Sequence, residues 1–376
     1  MDVLDEAMNR SGAAWYIHFG STRDADMRYL TGFRHTDPLV YMKKKGERGV
    51  IVVSQMEYMR ASREASTSVM TRAEAGLLEI LKEEKDIWKA NARMVAGLVH
   101  GSVLVSPLFP CAFARALEEY AEVMVDSGTV ERMRAVKTNK ELKLLRAVQA
   151  ATAIAMDAGV QLISKSKSFR GVLRHNGHPI TSELVRAIMH RELIDRGCMA
   201  TDTIVSCGDD TSMPHMLGTG PLKADLPIVI DIFPRDLTSG YYADMTRTVV
   251  KGEPADEVVE IFNAVRDAQA LGASLIRPGV TGASIHHAVV EFFSSAGYES
   301  NAKGFVHNLG HGVGLDVHEL PVLGPSGGEL APGNVVTVEP GLYYPGIGGV
   351  RLEDMGAITA SGFENFTKYP REFVLE

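Results

Sequence analysis

Four acidic residues and one histidine in the C-terminal half of the chain stand where metal ligands are expected. Asp231 ends the apolar run Pro-Ile-Val-Ile, and Asp244 opens Asp-Met-Thr-Arg-Thr-Val-Val, so the two acids lie on successive strands of a predicted hairpin. Glu339 and Glu353 repeat this arrangement further along the chain, and His311 lies between the two pairs. Four carboxylates on apolar strands require cations, because an unpaired buried charge costs several kcal/mol. Two divalent ions, one imidazole and a bridging hydroxide would complete such a site.

The elements that must position these residues occur twice in the same order. In both halves the pattern predicts helix, helix, strand and hairpin, with helices at 140–163, 182–195, 255–276 and 282–295 and strands at 202–207 and near Phe305. Glu339 follows Asp231 by 108 residues, and Glu353 follows Asp244 by 109. Two similar αβ halves that face each other would therefore bring both carboxylate pairs to one central cleft.

The residues before this duplication have a different pattern. Strand candidates alternate with helical stretches, which is typical of a small α/β domain, with strands at 13–18, 49–53, 102–105 and 122–125 and helices at 71–82 and 86–96. A chain of 376 residues also exceeds the roughly 250–300 residues at which one hydrophobic core stops growing. We therefore predict two domains, 1–131 and 132–376, with the boundary at the charged segment that begins at Glu131.

Composition excludes several classes of protein. A formal charge of −8 and a pI near 5.9 argue against nucleic acid as a partner, and the basic run at 43–45 is interpreted as a solvated turn. The N-terminus lacks an apolar core and no long apolar run follows, so neither secretion nor membrane insertion is signalled. The three cysteines, Cys111, Cys198 and Cys207, have no C-x-x-C spacing and are expected to be reduced thiols in a cytoplasmic protein.

The proposed ligands lie within recognisable motifs. These are Ala-Asp-Met-Thr-Arg-Thr around Asp244, His-Gly-Val-Gly-Leu-Asp-Val-His-Glu from His311, Val-Glu-Pro-Gly-Leu-Tyr around Glu339 and Val-Arg-Leu-Glu-Asp around Glu353. Together with Asp231 they resemble the motif set of the pita-bread metallopeptidases. The segment from Arg132 and the sequence Tyr-Leu-Thr-Gly-Phe near the N-terminus extend the resemblance over nearly the whole chain.

This resemblance implies both a fold and an activity. The fold is an α/β N-terminal domain followed by an α+β pita-bread catalytic domain made of two similar αβ halves. Methionine aminopeptidases generally lack such an N-terminal domain, so the resemblance favours the Xaa-Pro branch, prolidase or aminopeptidase P. In that branch a metal-bridging hydroxide hydrolyses the Xaa-Pro bond of dipeptides or at peptide N-termini. A homodimer and a proline-containing peptide substrate are expected, with neither nucleic acid nor membrane as partner.

The resemblance also assigns roles to the ligands. Asp244 and Glu353 would bridge two ions, Asp231 would complete one, and His311 with Glu339 would complete the other. Glu339 would in addition accept the proton and pass it on. Carboxylates with one imidazole suit Mn²⁺, Co²⁺, Fe²⁺ or Zn²⁺, and the absence of thiolate ligands argues against a closed structural zinc site.

Four further residues are candidates for contact with the substrate. In the family the histidines that match His318 and His215 stabilise the tetrahedral intermediate, while His307 lines the leaving-group side. Glycines at 310, 312 and 314 make a regular helix improbable here, so His307 and His311 are not the helical ligand pair of a zincin. Arg351 lies two residues before Glu353, which predicts the same strand face and contact with Glu353 or a substrate carboxylate.

Several alternatives remain open from the sequence. His215, His307 and His318 could be core histidines, and Arg351 could be a structural ion-pair partner. A creatinase-like, metal-free amidinohydrolase and a non-catalytic peptide-binding relative are rival functions. The native metal, dipeptidase against aminopeptidase action, the preferred first residue and the oligomeric state are undecided. One departure from the family is a connection between Asp231 and Asp244 that is two residues longer than usual, which preserves strand parity.

Overall fold

The computed structural model describes residues 3–376 and divides the chain into two compact units, Met1–Arg134 and Ala135–Glu376. The predicted boundary between residues 131 and 132 falls inside the helix Thr129–Ala135 and stays a prediction. Within residues 3–376, no helix combines the length and the apolar character that crossing a membrane requires.

The first unit contains one mixed six-stranded sheet, in the order β4-β3-β2-β1-β5-β6. Its strands are β1 Trp15–Gly20, β2 Leu39–Lys44, β3 Val50–Val53, β4 Ser68–Thr71, β5 Val103–Val105 and β6 Val123–Val125. Its helices are α1 Val3–Ser11, α2 Ala25–Thr31, α3 Tyr58–Glu64, α4 Leu77–Glu83, α5 Ile87–Leu98, α6 Cys111–Leu117 and α7 Thr129–Ala135. The four predicted strands are confirmed as β1, β3, β5 and β6, whereas β2 and β4 were not predicted.

Two local predictions in this unit are wrong. The helix expected from residue 71 begins only at Leu77, because Thr71 ends β4 and bonds to the Glu74 carboxylate, and Gly76 adopts a left-handed φ of 76°. The run at 43–45 is not a solvated turn throughout. Lys43 is buried in β2, where its Nζ lies 3.0 Å from Asp5 Oδ1.

The second unit begins with α8 and contains two similar αβ halves, as predicted. Its helices are α8 Asn139–Ser164, α9 Ser182–Ile194, α10 Asp256–Leu275 and α11 Gly282–Ser295. The strands of its first half are β7 Lys167–Phe169, β8 Val172–His175, β9 His178–Pro179, β10 Cys198–Met199, β11 Ile204–Cys207, β12 Ile228–Ile232, β13 Arg235–Asp236 and β14 Met245–Lys251. Those of the second half are β15 Gly310–Gly312, β16 Glu319–Leu323, β17 Val335–Val338, β18 Gly341–Tyr344, β19 Gly348–Arg351, β20 Asp354–Thr359, β21 Gly362–Asn365 and β22 Val374–Leu375.

Two sheets carry the residues of interest. The first has the order β11-β12-β14-β22 and the second β16-β15-β17-β20-β21. The helix that opens the unit is fixed at its start by a capping box, in which Thr138 and Glu141 satisfy each other's backbone amides. In the second half, α10 and α11 bury one apolar face in a core that also contains β17 and β20 residues such as Val338 and Ile358.

The strand expected near Phe305 is reduced to an isolated bridge between Gly304 and Tyr343, and the next strand begins at Gly310. The Phe305 side chain packs in the core instead, with its ring centre 5.4 Å from that of Phe293. Its backbone amide bonds to Glu299 O rather than to a neighbouring strand. An apolar run alone could not distinguish these two causes.

Candidate metal centre

The hairpin of the first half brings Asp231 and Asp244 to one place. β12 and β14 pair antiparallel, with Asp231 opposite Thr246, and Asp244 directly precedes β14. β-Branched residues dominate both strands, which favours the extended backbone. The Asp244 backbone is also held from α8, since Gln149 Nε2 donates to Asp244 O at 2.9 Å. The longer connection between the two acids folds as β13, which pairs with β10.

The second half repeats this arrangement at the ends of β17 and β20. Val338 pairs with Asp354, so Glu339 follows one strand where Glu353 precedes the other. The expected simple hairpin is interrupted, because the chain between β17 and β20 forms a second hairpin from β18 and β19.

His311 lies in the middle of β15, which pairs with β17 and confirms that this segment is not helical. Its two glycine neighbours allow the strands to approach closely. A Cβ atom at Gly310 would lie 2.1 Å from Thr337 O, and one at Gly312 would lie 2.2 Å from Leu320 O. Larger residues would therefore displace the strand that carries the imidazole.

The structure brings the predicted ligands close together. Ligand atoms of Asp244, His311 and Glu353 all lie within 4.8 Å of one another. Glu339 joins them, with its Oε1 3.2 Å from His311 Nε2, which in turn lies 3.6 Å from Asp244 Oδ2. Asp231 is tied to this group through Arg351, whose Nη2 lies 2.6 Å from Asp231 Oδ2.

The pKa values in this cluster indicate that its carboxylates are not all neutralised by the protein's own cations. Burial, reinforced by the charge of Glu353, raises the pKa of Asp244 well above its ordinary value of 3.8. Burial and the charge of Glu339 likewise raise the pKa of Glu353 well above its ordinary value of 4.5. Burial opposes the shift of Glu339, but the hydrogen bond and charge of His311 outweigh it and hold the pKa of Glu339 at about 2. Burial is similarly overcome at His311, where Glu339 raises the imidazole pKa to about 9.

A divalent cation fits these residues. Asp231 Oδ1 is buried and has no hydrogen-bond partner within residues 3–376, although it belongs to a carboxylate that already receives one guanidinium bond. A buried acceptor without a partner is costly, and a metal ion would satisfy it. The hard carboxylate oxygens with one imidazole match the preferences of divalent transition metals.

The four candidate substrate residues surround this cluster in different ways. His318 lies nearest, with its ring 4.2 Å from that of His311 in an edge-to-face arrangement. His307 contacts Tyr343, with 2.9 Å between His307 Nε2 and the tyrosine hydroxyl. Burial lowers the pKa of both His307 and His318. His215 is exposed and contributes electrostatically to both of those shifts.

Arg351 is not on the same strand as Glu353, so the expected shared strand face is wrong, whereas contact with a substrate carboxylate stays a prediction. Arg351 ends β19, whereas Glu353 lies in the link to β20. Its guanidinium instead contacts Asp231, the Tyr343 hydroxyl at 2.8 Å and Thr246 Oγ1 at 3.3 Å. The connection to Glu353 is indirect, because Thr246 donates to Glu353 Oε2 at 2.8 Å.

Two residues of this network were not identified as functional from the sequence. Tyr343 lies at the end of the Glu-Pro-Gly-Leu-Tyr motif, and this position was its only signal. Burial raises the pKa of Tyr343 to about 12, so its hydroxyl keeps its proton at neutral pH. Thr246 is two residues from Asp244 on the same strand face, a spacing that could have identified it.

Comparison with known proteins agrees with this geometry. The model of metallopeptidase family M24 matches residues 143–360, and that of the Creatinase/Prolidase N-terminal domain matches residues 1–136. The first match covers more than half of the chain. This chain belongs to metallopeptidase family M24.

Individual relatives match most of the length of this chain. An uncharacterized peptidase of Bacillus subtilis is 36% identical over 258 residues, which is 68% of each protein. A Xaa-Pro dipeptidase of Pyrococcus horikoshii is 29% identical over 361 residues, 94% of this chain and 93% of that protein. The solved structure of a Xaa-Pro dipeptidase from Bacillus anthracis superposes with a TM-score of 0.85 at 27% identity, covering 99% and 98% of the two chains.

Membership of M24 has several consequences. The chain is a metallopeptidase, its cofactors are divalent metal ions and its substrates are peptides. The predicted fold, an α/β N-terminal domain followed by a pita-bread catalytic domain, is confirmed.

Proposed function

We propose that this M24 peptidase hydrolyses the Xaa-Pro bond of dipeptides or of peptide N-termini. One observation carries the proposal, namely the convergence of Asp244, His311 and Glu353 within 4.8 Å beside Glu339 and Asp231. The proline preference is supported by the Xaa-Pro dipeptidases of P. horikoshii and B. anthracis, which are similar to this chain over both domains.

The five predicted ligands would hold two divalent ions, Mn²⁺, Co²⁺, Fe²⁺ or Zn²⁺, with manganese the first to be tested. Asp244 and Glu353 would bridge them, Asp231 would complete one, and His311 with Glu339 would complete the other. When bound, such ions supply Lewis acidity and generate a nucleophile from water at neutral pH.

Glu339 is the proposed general base. In the metal-free protein the hydrogen bond and charge of His311 hold the pKa of Glu339 at about 2. Thr337 Oγ1 fixes one carboxylate oxygen by donating a hydrogen bond at 3.1 Å. The carboxylate can accept a proton from the attacking water and pass it to the departing proline nitrogen.

The histidines would bind and orient the substrate. His318 and His215 are proposed to donate hydrogen bonds to the oxygen that becomes negative in the tetrahedral intermediate. His307 would line the leaving-group side, oriented by Tyr343. Arg351 positions Asp231 and Tyr343 together and is proposed to act through them.

Two rival functions make different predictions. A creatinase-like amidinohydrolase works without metal, and a non-catalytic relative binds peptide without turnover. The decisive experiment measures bound metal in protein purified without added metal and follows hydrolysis of Ala-Pro against Ala-Ala. Metal-dependent cleavage of Ala-Pro alone supports the proposal, and metal-independent activity on creatine or binding without cleavage contradicts it.

Further properties belong to the same proposal. We propose a homodimer in the cytoplasm, with a domain boundary between residues 131 and 132. Comparing Ala-Pro with the longer Ala-Pro-Ala separates dipeptidase from aminopeptidase action. Light scattering of the purified chain determines the oligomeric state.

A further inference from the structure

The two helices of each half are joined by connections of very different length. Six residues, 276–281, join α10 to α11, whereas seventeen residues, 165–181, join α8 to α9. The longer connection folds as the antiparallel sheet β7-β8-β9. Because the short connection joins an equivalent helix pair, the fold does not require the additional residues, and surface insertions of this kind commonly carry a binding function.

This added sheet carries a local excess of basic residues, although the protein as a whole is acidic. Residues 165–181 contain no aspartate or glutamate, in a chain whose formal charge is −8. Their four basic residues are Lys165, Lys167, Arg170 and Arg174. Within residues 3–376, none of the four forms an ion pair with a carboxylate at 4.0 Å or less.

Two of these cations are direct neighbours across the strands. Lys167 of β7 pairs with Arg174 of β8, and side chains at paired positions lie on the same face of a sheet. Like charges in this position destabilise a strand pair. Arg174 Nη1 donates to Gly177 O at 2.9 Å, but its Nε is buried without a hydrogen-bond partner in the described residues. An anion between the two side chains would relieve both unfavourable features.

Three of the four cations, Lys165, Lys167 and Arg174, also line a concave surface of suitable size. A cavity of about 660 Å³ is lined by Lys165, Lys167, Ser168, Phe169, Arg174, His175, Asn176 and Gly177. Phe169 is 56% exposed, and the guanidinium carbons of Arg170 and Arg174 each lie 5.5 Å from its ring centre. Small-molecule sites have volumes of roughly 300–1,000 Å³, and arginine donors match phosphate oxygens well.

We propose that the sheet β7-β8-β9 binds a small anion that carries two or more phosphate groups. Lys167 and Arg174 contact the phosphate oxygens, and the exposed Phe169 ring is available to a planar group of the ligand. A small ligand is favoured over a long polyanion, because the remainder of the chain has an excess of acidic residues that would repel neighbouring phosphates.

The test is calorimetric titration of the full chain with inorganic tripolyphosphate, adenosine triphosphate and, as a neutral control, adenosine. The informative variant is Lys167→Glu, which places an acid opposite Arg174 and replaces a like-charge pair with an opposite pair. It is expected to fold at least as stably as the parent chain and to bind both phosphates at least about tenfold more weakly. Lys143→Glu makes the same charge change at an exposed position of α8 and is expected to leave the affinity unchanged.

Phosphates also bind divalent metals, so a second variant excludes the metal centre as the binding site. His311→Ala is expected to retain phosphate affinity while losing metal. If Lys167→Glu binds as tightly as the parent chain, or if His311→Ala loses the binding instead, the proposed site is wrong. If the protein binds tripolyphosphate more weakly than adenosine triphosphate, the difference in affinity is assigned to contact between the adenine and the Phe169 ring. Similar affinities would assign recognition to the phosphates alone.

Discussion

Arg351 connects Asp231 to Tyr343 through one buried guanidinium, with Nη2 2.6 Å from the carboxylate and Nη1 2.8 Å from the hydroxyl. Because Tyr343 in turn contacts His307, two side chains, Arg351 and Tyr343, link a proposed metal ligand to a proposed substrate residue. Arginine presents several donors in a fixed plane, and lysine cannot reproduce this arrangement.

Arg351→Lys is therefore expected to lower turnover by about 10²-fold, because small displacements of catalytic groups have effects of this size. Metal content should remain close to normal. Arg146→Lys is the matched control, since Arg146 makes two bonds to Glu364 at an exposed position. Equal turnover of Arg351→Lys and the parent chain would contradict the positioning role.

Asp244→Ala is expected to abolish bound metal and hydrolysis together. Its same-face neighbours Thr246 and Thr248 are uncharged and cannot replace a bridging carboxylate. Elemental analysis and Ala-Pro hydrolysis are measured on the same preparation, with the exposed Asp256→Ala as control. A variant that keeps both ions and normal turnover would refute the bridging assignment.

Metal removal is expected to make stability depend on pH. In the metal-free protein the pKa values of Asp244 and Glu353 are raised above their ordinary 3.8 and 4.5, and that of His311 is raised from 6.5 to about 9. A raised pKa contributes stability below the ordinary value, and this contribution is lost as pH rises through the folded-state value.

Chelated protein should therefore lose stability as pH rises from weakly acidic values towards about 9. The lowered pKa of Glu339 contributes stability that is present above its ordinary pKa of 4.5 and is lost only as pH falls below that value. Metal binding should release protons and raise the melting temperature most at the alkaline end. Melting curves with and without chelator measure this effect, and parallel pH profiles would count against the ligand set.

His318→Ala is expected to reduce turnover by roughly 100- to 1000-fold, with a smaller effect on substrate binding and on metal content. The alternative is that His318 only packs against His311, in which case its loss lowers the melting temperature and leaves the folded enzyme active. The exposed His287→Ala is the control. A destabilised but fully active variant would exclude a role in catalysis.

The buried pair Lys137 and Glu319, with 2.5 Å between Nζ and Oε1, anchors the residue that directly follows His318. Both side chains are 1% exposed, so Lys137→Met should destabilise the protein by about 3–5 kcal/mol, because it removes the partner cation of a buried carboxylate. The double variant Lys137→Met with Glu319→Leu should recover part of this loss. Chemical denaturation of Lys137→Met, Glu319→Leu and the double variant measures the coupling, and strict additivity would contradict it.

The sequence by itself determined the helices of the catalytic domain and the set of residues to examine. Helices α8 to α11 were predicted to within a residue or so at each end, because long periodic segments with capping residues are governed by local interactions. The ligand set followed from acidic residues at the ends of apolar strands, since buried charge has few physical explanations.

Only the tertiary structure decided how these residues meet. Arg351 was expected beside Glu353 by strand spacing, but the chain breaks the strand at Leu352 and turns the guanidinium towards Asp231. Phe305 was interpreted as strand because an apolar run does not reveal whether it pairs or packs. Tyr343 became visible only as the partner of Arg351, because pairing of β18 with β19 brings the two side chains together. Local patterns specify what a segment can form, whereas non-local packing selects which side chains share a buried charge.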